Sequence, residues 1–208
     1  MTSLSAIAPR HDERMLLVGK TRTGKTTLAM QILPKYLNVL AIDPLHVLKK
    51  KLPPGYIIAG TPEGLPFAAL RGKLILYQPR PEAMNWESYD RVYKWAFDRK
   101  NTMIYTDEGL RVMRSNGQAP PYMEACYTAG RQRGVGMITC TQRPAKVDLR
   151  VMSEAEHYVC FQLKLRADRE RMAEVMESER VLTPARGHSF WYAGEEEEPR
   201  YYTLILED

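Results

Sequence analysis

The chain is 208 residues long, with 44% hydrophobic, 26% charged and 9% aromatic residues, which excludes a disordered or collagen-like chain and fits one α/β domain over residues 1–208. Its net charge of +5 suits a partner rich in phosphate, although many proteins of this charge bind no nucleic acid. No apolar run approaches the roughly 18 residues that span a bilayer, and residues 10–14 bring charge where a signal peptide needs an apolar core, so the expectation is a cytosolic protein with no transmembrane segment of its own.

Residues 15–18 are an apolar run ending in a glycine-rich turn, and residues 25–33 read as a helix stopped by Pro34. Residues 38–42 read as a second buried strand, closed by Asp43 and Pro44. From there to Pro81 the chain is rich in turn residues, Gly64 and Pro66 among them, with strands expected only at 56–59 and 74–77. Over 83–100, Trp86, Tyr89, Val92, Tyr93 and Phe97 recur at helical spacing, and this aromatic stripe reads as core. A strand at 102–106 runs straight into Asp107 and Glu108, followed by a polar loop through Arg114 and Gly117, a helix at 122–133 and a strand at 135–141. A strand at 157–163, a helix at 167–177 and a closing hairpin of 188–192 with 201–206 complete the chain, the glutamates 195–198 reading as a solvated tip. Strands alternating with helices predict a mostly parallel sheet covered on both faces. Cys126, Cys140 and Cys160 are far apart and odd in number, which predicts buried free thiols rather than disulfides or a zinc site.

Three segments carry chemistry. Gly19, Lys20, Thr21, Arg22, Thr23, Gly24, Lys25 and Thr26 match G-x-x-x-x-G-K-[ST] between an apolar strand and a helix. Together with Thr27 they are the candidate ATP-binding residues, because backbone N–H groups and the helix N-terminus favour phosphate, Lys25 can reach β and γ oxygens, and Thr26 can ligate Mg²⁺. Asp107 and Glu108 stand at a strand end, where open α/β sheets bind ligands, with Asp107 as a second Mg²⁺ ligand and Glu108 as base toward attacking water. An acidic pair after a strand also occurs in ordinary loops. Gln142 ends the strand at 135–141; if that strand lies between the other two, its amide can position water beside the γ-phosphate. A plain strand-end glutamine is the alternative.

The run 130–148, with Gln142-Arg143-Pro144 as its distinctive part, resembles the sensor region of FtsK/HerA-type translocases. The resemblance covers about residues 15–165 and implies a RecA-like P-loop fold of the ASCE kind, with strand order 5-1-4-3-2, a core of about 13–165 and a helix and hairpin over 166–208. It also implies that Arg131 acts on ATP held by the neighbouring subunit of a homo-oligomeric ring of five or six copies, with Arg133 close enough to be the one that acts. The short chain is similar in size to the genome-packaging ATPases of tailless icosahedral viruses with an internal membrane. That likeness implies double-stranded DNA as cargo, a capsid or membrane vertex protein as docking partner, and a place in the host cytoplasm or at the virion vertex. Candidate DNA contacts are Lys49, Lys50, Lys51, Arg111 and Arg114, all in loops. Other readings are a cellular HerA/FtsK-like translocase, a non-motor morphogenesis ATPase, and a small nucleotide kinase, against which Glu108 and Gln142 stand although Arg166, Arg169 and Arg171 could be mistaken for a kinase's arginine-rich lid.

Overall fold

Alternation of apolar residues along the central strands divides the core in two. Leu16, Val18, Leu40, Ile42, Ile104, Val135 and Met137 point to one face, while Met15, Leu17, Val39, Ala41, Met103, Tyr105 and Ile138 point to the other. A strand buried on both faces needs helices on both, and the computed structural model, which describes residues 7–195 and 197–205, has that layering. The strands are β1 (Arg14–Val18), β2 (Val39–Ile42), β3 (Ile57–Ala59), β4 (Leu74–Tyr77), β5 (Thr102–Thr106), β6 (Val135–Thr141), β7 (His157–Cys160), β8 (Ser189–Ala193) and β9 (Arg200–Thr203). The helices are α1 (Lys25–Ile32), α2 (Gly64–Arg71), α3 (Trp86–Arg99), α4 (Pro121–Ala129), α5 (Leu149–Ser153) and α6 (Arg166–Val175).

Among the described residues the nine strands join one sheet in the order β3-β4-β2-β5-β6-β1-β7-β8-β9. Pairing is parallel from β3 to β7, and β8 and β9 add antiparallel at the end. The inner five strands, β2-β5-β6-β1-β7, are the order 5-1-4-3-2 read from the other side. The strand ending at Gln142 therefore lies between the glycine-loop strand and the acidic strand. Helix α1 packs Leu28, Ala29 and Ile32 on one face, and α3 packs Tyr89, Val92, Tyr93 and Ala96 on the other. Trp86 and Phe97 of the aromatic stripe are only half-buried.

Four expectations change. Residues 64–71 form α2, because Gly64 and Pro66 fall in its first turn, where a helix has no N–H partner to lose, and Leu65 and Ala68 reach the core. Residues 149–153 form α5, its start capped by Asp148, whose carboxylate accepts from Arg150 N at 3.0 Å. The helix expected over 122–133 ends at Ala129, and Arg131–Arg133 close into a 3-10 turn that ends on Gly134 at φ 64°. β7 stops at Cys160, although two more bonds in its register, Phe161 N to Val18 O at 2.9 Å and Lys20 N to Gln162 O at 2.8 Å, still tie the chain beyond it to the start of the glycine loop. Leu206 of the expected last strand and Glu196 of the glutamate run lie outside the described residues. All three cysteines are buried with free thiols, and among the described residues no helix is long and apolar enough to cross a membrane.

Candidate nucleotide site

The loop from Gly19 to Gly24 joins β1 to α1, and glycine is required at both ends of it. Gly24 has φ 114°, and a Cβ there would lie 2.9 Å from Leu204 Cδ2; at Gly19 (φ 156°) it would lie 2.6 Å from Phe161 Cβ. The loop is fastened by Gly19 N to Thr141 O at 3.2 Å and Thr23 Oγ1 to Lys20 O at 2.8 Å. The first turn of α1 carries no acidic residue, which leaves its positive end free for an anion. Lys25 is buried, its Nζ donating to Gly19 O at 2.7 Å and Lys20 O at 3.1 Å. Burial pulls its ammonium below the usual lysine range, and the nearby Glu108 and Asp107 oppose that shift.

Asp107 receives two hydroxyl groups on one oxygen: Thr26 Oγ1 donates to Oδ1 at 3.1 Å and Tyr105 OH at 2.7 Å. Burial pushes the Tyr105 phenol well above its ordinary range, so it stays a donor. Thr26 and Asp107 thus present adjacent hard oxygens, a donor set that fits Mg²⁺. The next residue, Glu108, has φ 68° and ψ 73°, a left-handed conformation that costs a non-glycine residue about 1–2 kcal/mol. Such strain persists where the surroundings enforce it, often at functional sites. Gln142 spans the gap between the acidic strand and the glycine loop. Its Nε2 donates to Glu108 Oε2 at 2.8 Å, and its Oε1 accepts from Thr21 Oγ1 at 2.8 Å.

The glycine loop, Asp107, Glu108 and Gln142 therefore converge at the C-terminal ends of β1, β5 and β6. Arg131 and Arg133 do not join them, since they precede β6 and lie at the opposite end of the sheet. Arg131 is exposed, with its Nη2 3.9 Å from Glu13 Oε1. Arg133 is committed within the chain, its guanidinium 4.2 Å from the Phe97 ring centroid and Nη1 donating to Phe97 O at 3.4 Å. Lys49, Lys50, Lys51 and Arg111 are exposed, whereas Arg114 is half-buried with its guanidinium 4.7 Å from the Trp86 ring centroid. On α6, Arg166 pairs with Glu170 and Arg171 with Glu174, while Arg169 donates to Leu163 O and Lys164 O.

Sequence reasoning missed several supporting residues. Asp168, 1% exposed, accepts from Arg143 Nε at 2.9 Å and Ala145 N at 3.1 Å, which anchors the segment after Gln142 to α6. The hairpin of β8 and β9 covers the glycine loop: His188 Nδ1 lies 3.2 Å from Thr23 O, and Leu204 lies beside Gly24. Tyr105 looks like an ordinary core residue in its strand, and only its neighbour Asp107 hints at the hydroxyl's use.

The chain is 28% identical over 168 residues to the DNA packaging ATPase P9 of Enterobacteria phage PRD1, an alignment covering 78% of this chain and 69% of that protein. The chain is homologous to P9 and fits a P-loop ATPase superfamily. No protein-family model matches it. Its fold is that of the genome packaging NTPase B204 from Sulfolobus turreted icosahedral virus 2 in complex with AMPPCP, at TM-score 0.78 and 17% identity over 95% of this chain and 100% of that one. VirB4 of Thermoanaerobacter pseudethanolicus shares the fold at TM-score 0.70 and 11% identity, over 94% of this chain and 90% of that one. The FtsK/HerA-type resemblance read from Gln142-Arg143-Pro144 stands with these relatives.

Proposed function

We propose that the chain hydrolyses ATP to drive double-stranded DNA into a preformed viral capsid, as one subunit of a homo-oligomeric ring of five or six copies. The observation that carries this reading is the chain of contacts from Thr21 through Gln142 to Glu108, which links the phosphate loop to a base candidate in a way suited to an attacking water. The homologue P9 and the fold neighbour B204 are both described as packaging enzymes, and B204 is recorded with an ATP analogue.

In this reading Gly19 to Thr27 wrap the triphosphate, with backbone N–H groups aimed at oxygens and Lys25 leaving its two carbonyl partners for the β and γ oxygens. Thr26 and Asp107 would hold Mg²⁺, which would supply positive charge beside the phosphates. Glu108 takes the proton of the attacking water, and Gln142 orients that water while sensing the γ-phosphate through Thr21. Arg131, too far along the sheet to serve its own site, reaches the site of the next subunit, and such a head-to-tail contact closes into a ring. Arg131 suits this task better than Arg133, whose guanidinium is occupied by Phe97. Arg111, directly after Glu108, and Lys49, Lys50 and Lys51 face the duplex backbone, while Arg114 is less free because it stacks on Trp86. The motor docks on a capsid or membrane vertex protein and works in the host cytoplasm or at the virion vertex. The arginines that could be mistaken for a kinase lid, Arg166 and Arg171, pair with glutamates of their own helix.

ATP turnover by the purified protein with and without long duplex DNA tests the proposal. Stimulation by DNA of any sequence is expected. Turnover indifferent to DNA, with phosphate transferred to a nucleoside monophosphate, would restore the kinase reading; turnover indifferent to DNA without transfer would favour a morphogenesis ATPase.

A further inference from the structure

At the end of the sheet away from the glycine loop lies a buried polar network that no step of ATP hydrolysis in the same subunit uses. Its centre is Glu13, 8% exposed, just before β1. Oε2 accepts from Arg10 N at 2.6 Å and faces His157 Nε2 at 2.9 Å; Oε1 lies 2.8 Å from Arg10 Nε and 3.9 Å from Arg131 Nη2. Burial pushes the Glu13 carboxyl upward, and the hydrogen bonds from Arg10 N and His157 outweigh it and hold the group below the ordinary glutamate range. A carboxylate only accepts, so His157 carries a proton on Nε2, and its Nδ1 lies 2.9 Å from Tyr192 OH. Burial raises the Tyr192 phenol to about 12, which keeps that hydroxyl a donor.

The geometry points to Glu13 as a positioning residue for Arg131, aiming its guanidinium outward at the nucleotide of an adjoining copy of this chain. Glu13 is the only ion-pair partner of Arg131 among the described residues. The contact is made by the terminal Nη2 at the limit of ion-pair range and Arg131 remains exposed, so the carboxylate restrains one end of the guanidinium and leaves the rest of it accessible. His157 and Tyr192 fix the carboxylate from β7 and β8, which prevents it from following the arginine outward. The inference rests on the reading of Arg131 as the residue that acts across the subunit boundary.

The test is a double-mutant cycle on DNA-stimulated turnover, using Glu13→Gln, Arg131→Ala and both together. Glu13→Gln is expected to lower kcat about tenfold with KM for ATP unchanged, and to add less than about twofold in the Arg131→Ala background, since effects through one residue do not add. An equal loss in both backgrounds, or none in the first, overturns the positioning role. If Arg131→Ala alone leaves kcat intact, the trans reading fails first and takes this inference with it, so the two failures are distinguishable. Should Glu13→Gln unfold the chain, Glu13→Asp keeps the charge and withdraws it by one methylene. The same loss in kcat alone is then expected, and an unchanged kcat overturns the inference.

Discussion

Glu108→Gly and Glu108→Ala remove the same carboxylate and the same hydrogen bond from Gln142, so their difference isolates the backbone. In an unstrained loop alanine is the more stable of the two by about 0.4–1 kcal/mol, because glycine has more freedom to lose on folding. At φ 68° and ψ 73° alanine must keep a left-handed conformation that costs about 1–2 kcal/mol, and glycine does not. The second effect is the larger, so the order reverses and the glycine variant is expected to be more stable by about 1 kcal/mol, a shift of about 2–4 °C in Tm for a chain of this size. Thermal unfolding without nucleotide measures the difference, and phosphate release should show both variants inactive. If the alanine variant unfolds at the same or a higher temperature, Glu108 is not strained and the argument linking that strain to function fails.

For Glu108→Gln, nucleotide binding persists while hydrolysis falls about a hundredfold or more; a fluorescent-nucleotide titration beside a turnover assay separates the two, and equal loss of both contradicts the assignment of the base. Lys25→Met abolishes turnover yet raises the Tm of the nucleotide-free protein at neutral pH. The sign follows from a folded-state pKa below the unfolded one: the charged ammonium disfavours folding at every pH below that lowered value, and the gap between wild type and variant narrows as pH rises through it. A constant gap across that range would show that burial of the charge is not its origin. Gly24→Ala destabilises the chain by about 1–3 kcal/mol and weakens nucleotide binding, since its φ of 114° remains strained even if Leu204 moves; unchanged denaturation would contradict this. Mixing Arg131→Ala subunits of much reduced turnover with inactive Lys25→Ala subunits recovers part of the DNA-stimulated turnover, because some interfaces then pair an intact glycine loop with an intact arginine. No recovery at any ratio, with a monomeric mass in ATP and DNA, would sink the trans assignment.

The strands at 74–77, 102–106 and 135–141 were legible to the residue because each is a short apolar run bounded by glycine or polar residues, as buried parallel strands are. The glycine loop announced itself through spacing, and Asp107, Glu108 and Gln142 through their places at strand ends. Their convergence required the strand order, which came from the resemblance rather than from any local pattern. Helix α2 was hidden because Gly64 and Pro66 punctuate a turn as readily as they begin a helix, and only packing of Leu65 and Ala68 decides. His188 and Leu204 reach the glycine loop from about 165 and 180 positions downstream, a separation across which propensity carries no information. Asp168 and Glu13 read as surface charge in sequence; each is buried by neighbours from remote strands or loops.

The central position of β1 governs when this site can come into being. Arg14 aligns with Met137 and Met15 with His157, so during synthesis β1 has no ladder partner until β6, more than a hundred residues further on, has been made. Through that interval Met15 to Val18 are an apolar, unpaired segment, the kind of surface that holdase chaperones cover and that aggregates when left alone. A nascent chain ending before β6 would contain every phosphate-binding residue in its sequence and yet form no pocket, which makes nucleotide binding a late event in synthesis and a sensitive reporter of completed folding.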